Sequence, residues 1–315
     1  MSTYYPQAAW PAPVRYRRRS GGPGAFLLGF LIGFVPGGLF LLVVLASALL
    51  FFPPGRTNIL LLGLDRRPQE KTFVVRTDTM ILMTINPAGR YVGMLSIPRD
   101  LYVTLPDGSV DRINTAHVYA ELDTPGSGPA AAMQTVRSNF GVDVHHYVRL
   151  DLAGFVRILD AMGGIDLDVP DPLVDYEYPT YDYGVETVAF EAGLQHLDGE
   201  RALAYARIRH GSSDFQRAER QQRVIQAIFA RLLNPAAWPR LPLLAAAVSQ
   251  SVDSDLTAVE LARLAPTLLL VGPRKIDSRV IEGRLVDPYT TGGGASVLLP
   301  VWANINPVLL EMFGQ

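Results

Sequence analysis

The chain contains no cysteine. Disulfides, thiol nucleophiles and cysteine-ligated zinc are thereby excluded. It carries no glycine-rich phosphate loop and no dinucleotide fingerprint, so the common ways of holding a nucleotide are missing. No internal repeat is present, which argues against a solenoid or propeller. Charge is nearly balanced, with 28 basic residues against 30 acidic and a formal net charge of −2. One stretch lacks charge altogether: "AFLLGFLIGFVPGGLFLLVVLASALLFF", residues 25–52.

That uncharged run is the first informative feature of what is present. About twenty apolar residues suffice to cross a bilayer. Residues 1–24 are rich in Pro, Gly, Tyr and Arg and are expected to be a disordered tail. Within them Arg15, Arg17, Arg18 and Arg19 form a basic cluster. By the positive-inside rule the N-terminus is cytoplasmic and everything after residue 53 is exported. Ala46-Ser47-Ala48 offers a cleaved signal peptide as the rival reading, but the run is longer than a signal core and favours an uncleaved anchor. Pro36-Gly37-Gly38 is expected to kink the helix. The expected organisation is a tail at 1–24, a transmembrane anchor at 25–52, a linker at 53–57 and one exported domain at 58–315.

Of the 315 residues, 49% are hydrophobic, ample for a packed core. Beyond residue 55 the balance is 24 basic against 30 acidic, a net charge of −6. That sign disfavours nucleic acid as a partner. Residues 58–65, 79–87 and 90–100 have the pattern of buried strands. "GPAAAMQTVRSNFG" (128–141) and "DLAGFVRILDAMGG" (151–164) have that of helices, the second capped by Asp151 and stopped by Gly163. "HHYVRLD" and "IDLDVP" add strands. Residues 171–189 are acidic, rich in tyrosine and without clean periodicity, as in a surface loop or hairpin. A helix begins at 197 and ends in extended residues before 209. A long one runs over 214–234 with Asp214 suited to its N-cap, and "LTAVELARLAPTLLL" supplies another. Strands alternating with helices predict an α/β class, a three-layer α/β/α domain around a mixed sheet.

Three polar segments adjoin these strands. In "LDRRPQEKTFVVRTDT", Asp65 ends one strand while Arg76 and Asp78 flank the next. On an extended segment 76 and 78 share a side. Ordinary loop charge is the bland explanation. Ligands of open α/β sheets, however, bind beyond strand ends, where two carboxylates suit a hard divalent cation. In "SIPRDLYV", Arg99 ends a strand, with Asp100 as its ordinary salt-bridge partner. "DRINTAH" follows with Arg112, Asn114 and His117; a lone loop histidine is more often solvated than catalytic.

The third segment, "ARIRHGSSDFQRAERQQR" (206–223), holds Arg207, Arg209, Arg217, Arg220 and Arg223 and no lysine. Arg217, Arg220 and Gln221 share one helical face. A solvated polar face is the usual reading of such a helix. Arginine without lysine points instead to planar, bidentate recognition of phosphate, and a helix N-terminus adds donors. Metal and arginine together supply what phosphoryl transfer needs. An exported domain has no ATP, so the phosphate donor is expected to be a lipid-linked pyrophosphate.

Those segments, together with "GFVRILDAMGGIDLDVP" and "GLQHLDGERALAYARIRHGSSDFQRAERQQ", resemble the LytR-CpsA-Psr family over about residues 57–235. The resemblance implies an α/β/α fold with an apolar pocket for a lipid tail. It also implies a magnesium-dependent phosphotransferase. Such an enzyme moves a glycopolymer phosphate from a polyprenyl-pyrophosphate carrier to a peptidoglycan sugar hydroxyl, at the outer face of the cell membrane. By the same resemblance Asp65 and Asp78 hold magnesium. Arg76, Arg99, Arg207, Arg209, Arg217 and Gln221 contact pyrophosphate, and Asp214 orients the arginines. Asp65, Asp78, Arg76 and Arg99 are then the catalytic set. Two departures stand out: Arg112 replaces a frequent lysine, and His117 a frequent tyrosine. A non-catalytic polyprenyl-phosphate binder or membrane regulator, and a pyrophosphatase using water, remain alternatives.

Overall fold

The computed structural model describes residues 55–66, 72–180, 184–208 and 214–314, with Gly37 and Phe40 besides. Apart from those two, the expected anchor at 25–52 lies outside the described residues, as does Arg209. Among the described residues no helix is long and apolar enough to cross a membrane. The chain divides into two units, 1–52 and 53–315, and the domain described below is the second.

The elements follow in chain order. The first part holds β1 (Thr57–Leu64), β2 (Thr77–Asn86), β3 (Tyr91–Ser96), β4 (Tyr102–Thr104), β5 (Val110–Arg112), α1 (Thr115–Asp123) and α2 (Gly128–Phe140). The middle holds β6 (His146–Asp151), α3 (Leu152–Met162), β7 (Ile165–Val169), β8 (Leu173–Pro179), β9 (Val185–Phe190), β10 (Gly193–Leu197), α4 (Gly199–Arg207) and α5 (Asp214–Leu233). The last part holds α6 (Leu241–Ser251), β11 (Val252–Ser254), α7 (Ala258–Val271), β12 (Asp277–Val280), β13 (Val286–Thr290), β14 (Ser296–Pro300) and α8 (Trp302–Phe313). β1 begins inside the stretch read as a linker.

Six strands form the central sheet in the order β11-β6-β1-β2-β3-β12. The sheet is mixed. β1 runs parallel to β6 and antiparallel to β2, while β3 is antiparallel to β2 and parallel to β12. The middle strands are apolar on both sides, as strands covered on both faces must be. Leu60, Leu62, Met80 and Leu82 point into a core shared with α1, α2 and α8. Ile59, Ile81 and Met83 point to the opposite face, under α5 and α7. Each such side chain contributes about 1.5–3 kcal/mol when fully buried. The result is the three-layer α/β/α arrangement expected from the sequence.

A third cluster joins α3, α4 and the inner side of α5 to β7, the β8–β9 hairpin and β10. β7 alternates buried and exposed along "IDLDV", the signature of a strand covered on one face. Asp151 caps α3 by accepting from the Gly154 N–H at 2.7 Å, as its position suggested. Residues 171–189 are largely the β8–β9 hairpin.

Candidate functional site

A cavity of about 590 Å³ lies between the sheet and α3, α4 and α5. Its depth is apolar, lined by Leu61, Ile81, Val148, Phe155, Leu203, Val224, Ile225 and Ile228. Its mouth is charged, lined by Asp65, Asp78, Asp175, Glu177, Arg207, Arg217 and Gln221. A recess of about 40 Å³ adjoins it, sharing Asp78, Arg217 and Gln221 and adding Arg99 and Asp214.

The strand ends build the first half of this mouth. Gly63 pairs with Thr79 and Leu64 with Thr77, so Asp78 is an extra residue, a bulge in β2. A bulge re-aims the side chain it carries. A Cβ on Gly63 would sit 2.9 Å from the Thr79 Cβ, so the close approach of the strands here requires glycine. The bulge also bears on the expectation that residues 76 and 78 share a side. Arg76 precedes β2, is exposed, and is absent from the lining of both cavities. Strict alternation fails because Arg76 lies before the strand and the bulge interrupts the pleat just after it.

The ends of α4 and α5 supply the rest. Arg207, the last residue of α4, donates to Asp65 Oδ1 at 3.0 Å and to the Tyr178 hydroxyl at 3.5 Å. Arg217, on α5, is buried and donates to the Asp78 carbonyl at 3.3 Å. Asp214 lies in the first turn of α5 and bridges two arginines, Arg217 at 3.1 Å and Arg99 at 3.6 Å. Arg99 also pairs with Asp78 at 3.2 Å and with Asp100 at 3.3 Å. Burial alone would lower the Arg99 pKa, but the Asp78, Asp214 and Asp100 carboxylates outweigh it and raise the value. Arg112 pairs with Asp100 at 3.2 Å, behind the recess.

The remaining arginines of the 206–223 stretch divide clearly. Arg220 is buried and donates to the Ile208 carbonyl, fastening the end of α4 to α5. It does not line the cavity. Burial pulls its pKa down. Arg223 pairs with Glu219 at 3.7 Å on the exposed side of α5, an ordinary surface charge. Gln222 fixes α5 on the sheet by donating to Ser96 Oγ at 2.9 Å and to the Arg279 carbonyl at 2.7 Å.

His117 is not solvated, contrary to the loop reading. It sits in α1, fully buried. The Arg149 guanidinium can only donate, so Nε2 accepts from it at 3.1 Å and Nδ1–H donates to the Val75 carbonyl at 3.2 Å. Burial, and then the Arg149 charge, push its pKa down to about 4. Arg149 also pairs with Glu121 at 2.6 Å and Asp253 at 2.6 Å. Phe73 is stacked by both Arg149 and Arg66, and Arg66 pairs with Asp151. This network braces the cavity wall at Asp151 and offers no open histidine for proton transfer.

Sequence reasoning missed Asp175, Glu177 and Tyr178. Asp175 pairs with Val188 and Tyr178 with Glu186, a bulge that breaks the period-2 pattern by which an inward face would be recognised.

Fold and site together define the class: a mixed α/β domain whose cavity is apolar in depth and lined by arginine and aspartate at the mouth. The chain belongs to the LytR_cpsA_psr family, whose model matches residues 53–301. A relative in Oceanobacillus iheyensis, polyisoprenyl-teichoic acid–peptidoglycan teichoic acid transferase TagU, is 35% identical over 209 residues, 66% of this chain and 61% of the relative. Polyisoprenyl-teichoic acid–peptidoglycan teichoic acid transferase TagV of Bacillus subtilis is 30% identical over 66% of this chain and 52% of its own length. The match thus spans between half and two thirds of these relatives. The crystal structure of B. subtilis TagV superposes with a TM-score of 0.66 at 27% identity, covering 82% of this chain and 98% of that one.

Proposed function

We propose that this protein is a membrane-anchored phosphotransferase. It moves a glycopolymer phosphate from a polyprenyl-pyrophosphate carrier to a peptidoglycan sugar hydroxyl and releases polyprenyl phosphate. The observation that carries the proposal is one cavity with an apolar depth and a mouth holding Arg207, Arg217 and Gln221. A lipid diphosphate has the same two parts in the same order. The reaction agrees with the relatives' names as teichoic acid transferases to peptidoglycan. Residues 25–52 serve as the anchor, with the N-terminus in the cytoplasm and the domain outside.

Arg99, Arg207 and Arg217 clamp the diphosphate, with Arg209 beside Arg207 in sequence as a further ligand. Arg76, exposed before β2, meets the part of the substrate outside the cavity. Asp214 keeps Arg99 and Arg217 aimed. The acceptor hydroxyl oxygen bonds to the glycan-side phosphorus, and the bond from that phosphorus to the bridging oxygen breaks. The bridging oxygen leaves on polyprenyl phosphate, its charge held by the arginines. The hydroxyl proton passes to a carboxylate of the mouth, Asp65 or Asp78, the acids that end β1 and open β2 there.

Magnesium suits the donors present. Asp65 and Asp78 are hard oxygen ligands lining one mouth. Among the described residues no cluster of three or more His, Cys, Asp or Glu forms a metal cage. Magnesium is commonly held by one or two carboxylates plus substrate phosphates. Asp65 and Asp78 would hold it, and bound there it supplies charge neutralisation at the diphosphate.

The test is a product analysis with a lipid-linked glycan, with and without peptidoglycan fragments. Transfer requires glycan on the fragments and polyprenyl phosphate in equal amount. Free glycan phosphate irrespective of acceptor would mean hydrolysis, and bound but unturned lipid would mean a binder.

A further inference from the structure

We propose that α6 and α7 form a docking surface for a lipid bilayer, on the side of the domain where the apolar depth of the cavity lies. The inference rests on the lipid-borne substrate proposed above.

α6, "LPLLAAAVSQS", has no charged residue and no buried residue. It packs against α3, which carries Leu152 and Phe155 of the cavity wall. Leu241 and Val248 on one flank and Leu243 on the other are exposed, Leu243 at 61%. The inner face of α7 packs Leu264 and Val271 into the cluster that includes Ile81, with Leu61, Val148 and Ile225 against it. Those last four line the apolar depth of the cavity. Outside that inner face α7 exposes Val259, Leu261, Leu269 and Leu270, between 52% and 60%. Single exposed apolar residues are ordinary. Two neighbouring helices in sequence, each apolar inside and out, mark an interaction surface.

The charges around them choose the occupant. Exposed Trp238 and Arg240 precede α6, Arg263 lies on α7, and Arg274 and Lys275 follow it. Tryptophan with arginine or lysine beside an apolar face is the composition of a headgroup boundary. Of the acids of the region, Asp253 pairs with Arg149, while Asp255 and Glu260 lie partly exposed beside His146. Arg240, Arg263, Arg274 and Lys275 outnumber Asp255 and Glu260, an excess of basic charge complementary to anionic phospholipid. Neither helix lines the cavity itself; they cover α3 and the strand residues that line its apolar depth, whereas the charged mouth is lined by Asp65, Asp78, Arg207 and Arg217.

The absence of cysteine allows a direct test. Single cysteines at Leu243→Cys, Leu261→Cys and Leu269→Cys in the full chain are labelled with an environment-sensitive fluorophore and reconstituted in vesicles containing anionic phospholipid. Leu122→Cys is the control, 64% exposed on α1 over the other face of the sheet. Lipids with spin-labelled acyl chains are then added. Labels on α6 and α7 are expected to shift to the blue and lose most of their emission, while the Leu122 label keeps its own. Labels on α6 and α7 as insensitive as the control overturn the proposal. Failure of the chain to float with the vesicles overturns it too, together with the anchor. No turnover is needed, so the result does not depend on whether the transferase reading holds.

Discussion

Arg207 and Asp65 meet at 3.0 Å although 142 residues separate them in the chain. The contact joins the last residue of α4 to the residue following β1, across the cavity mouth. Both groups are partly exposed, so the pair is worth about 0–1 kcal/mol to folding. Asp65→Asn is therefore expected to leave the melting temperature nearly unchanged. It should lower transfer by about a hundredfold or more if the carboxylate acts in the transition state. Thermal melts beside initial rates separate the two effects.

Arg220 should behave in the opposite way. Its guanidinium is buried against the Ile208 carbonyl, one residue past Arg207. Arg220→Met leaves that carbonyl without its donor, at a cost of about 1–3 kcal/mol. Denaturant unfolding should show the loss. Binding of inorganic pyrophosphate should weaken as well, because the α4 end that presents Arg207 is released. Arg220→Lys can still reach the carbonyl and should restore part of both.

The apolar depth predicts a defect in substrate capture. Ile228 lines the cavity, and Ile228→Trp places a larger side chain in open space. Displacing even two methylene groups of a bound tail forfeits about 1.6 kcal/mol. KM for the long-chain substrate should then rise by roughly tenfold, with little change for a water-soluble short-chain analogue. Equal effects on both would show that the cavity does not hold the tail.

Acid should weaken the fold through His117. Its pKa is about 4 in the folded protein against an ordinary 6.5. Below pH 6.5 the unfolded chain takes up a proton that the folded one refuses. This part of the stability is complete above pH 6.5 and falls steadily to about pH 4, a loss of about 3 kcal/mol. His117→Gln should remove that slope between pH 6.5 and 4. A slope unchanged by the substitution would place the acid sensitivity elsewhere.

The legibility of this protein followed the range of its interactions. The strands of the sheet, the Asp151 cap and the long helix from Asp214 were readable because periodicity and capping are local. The gathering of Asp65, Asp78, Arg99, Arg207, Arg217 and Gln221 was expected from the family resemblance, and for Asp65 and Asp78 also from their place at strand ends. Two kinds of feature were not readable. Bulges at Asp78 and in β8 shift side chains off the pleat without any composition signal, which misplaced Arg76 and hid Asp175 and Glu177. Burial of His117 depends on Arg149, Glu121 and Val75, none of them near it on one helix face except Glu121. A single histidine in a polar stretch carries no mark of such partners.

The central claim is that the arginine–aspartate mouth turns over a lipid diphosphate held in the apolar cavity. The most direct test is the transfer rate of a lipid-linked glycan to peptidoglycan fragments, measured for the full chain and for Arg217→Ala. Arg217 is buried at the junction of the cavity and the recess, beside Asp214 and Asp78. The account predicts polyprenyl phosphate and glycan-bearing fragments in equal amounts from the native chain, and a loss of about a hundredfold or more in the variant at unchanged fold. Near-native turnover by a folded Arg217→Ala protein would contradict it.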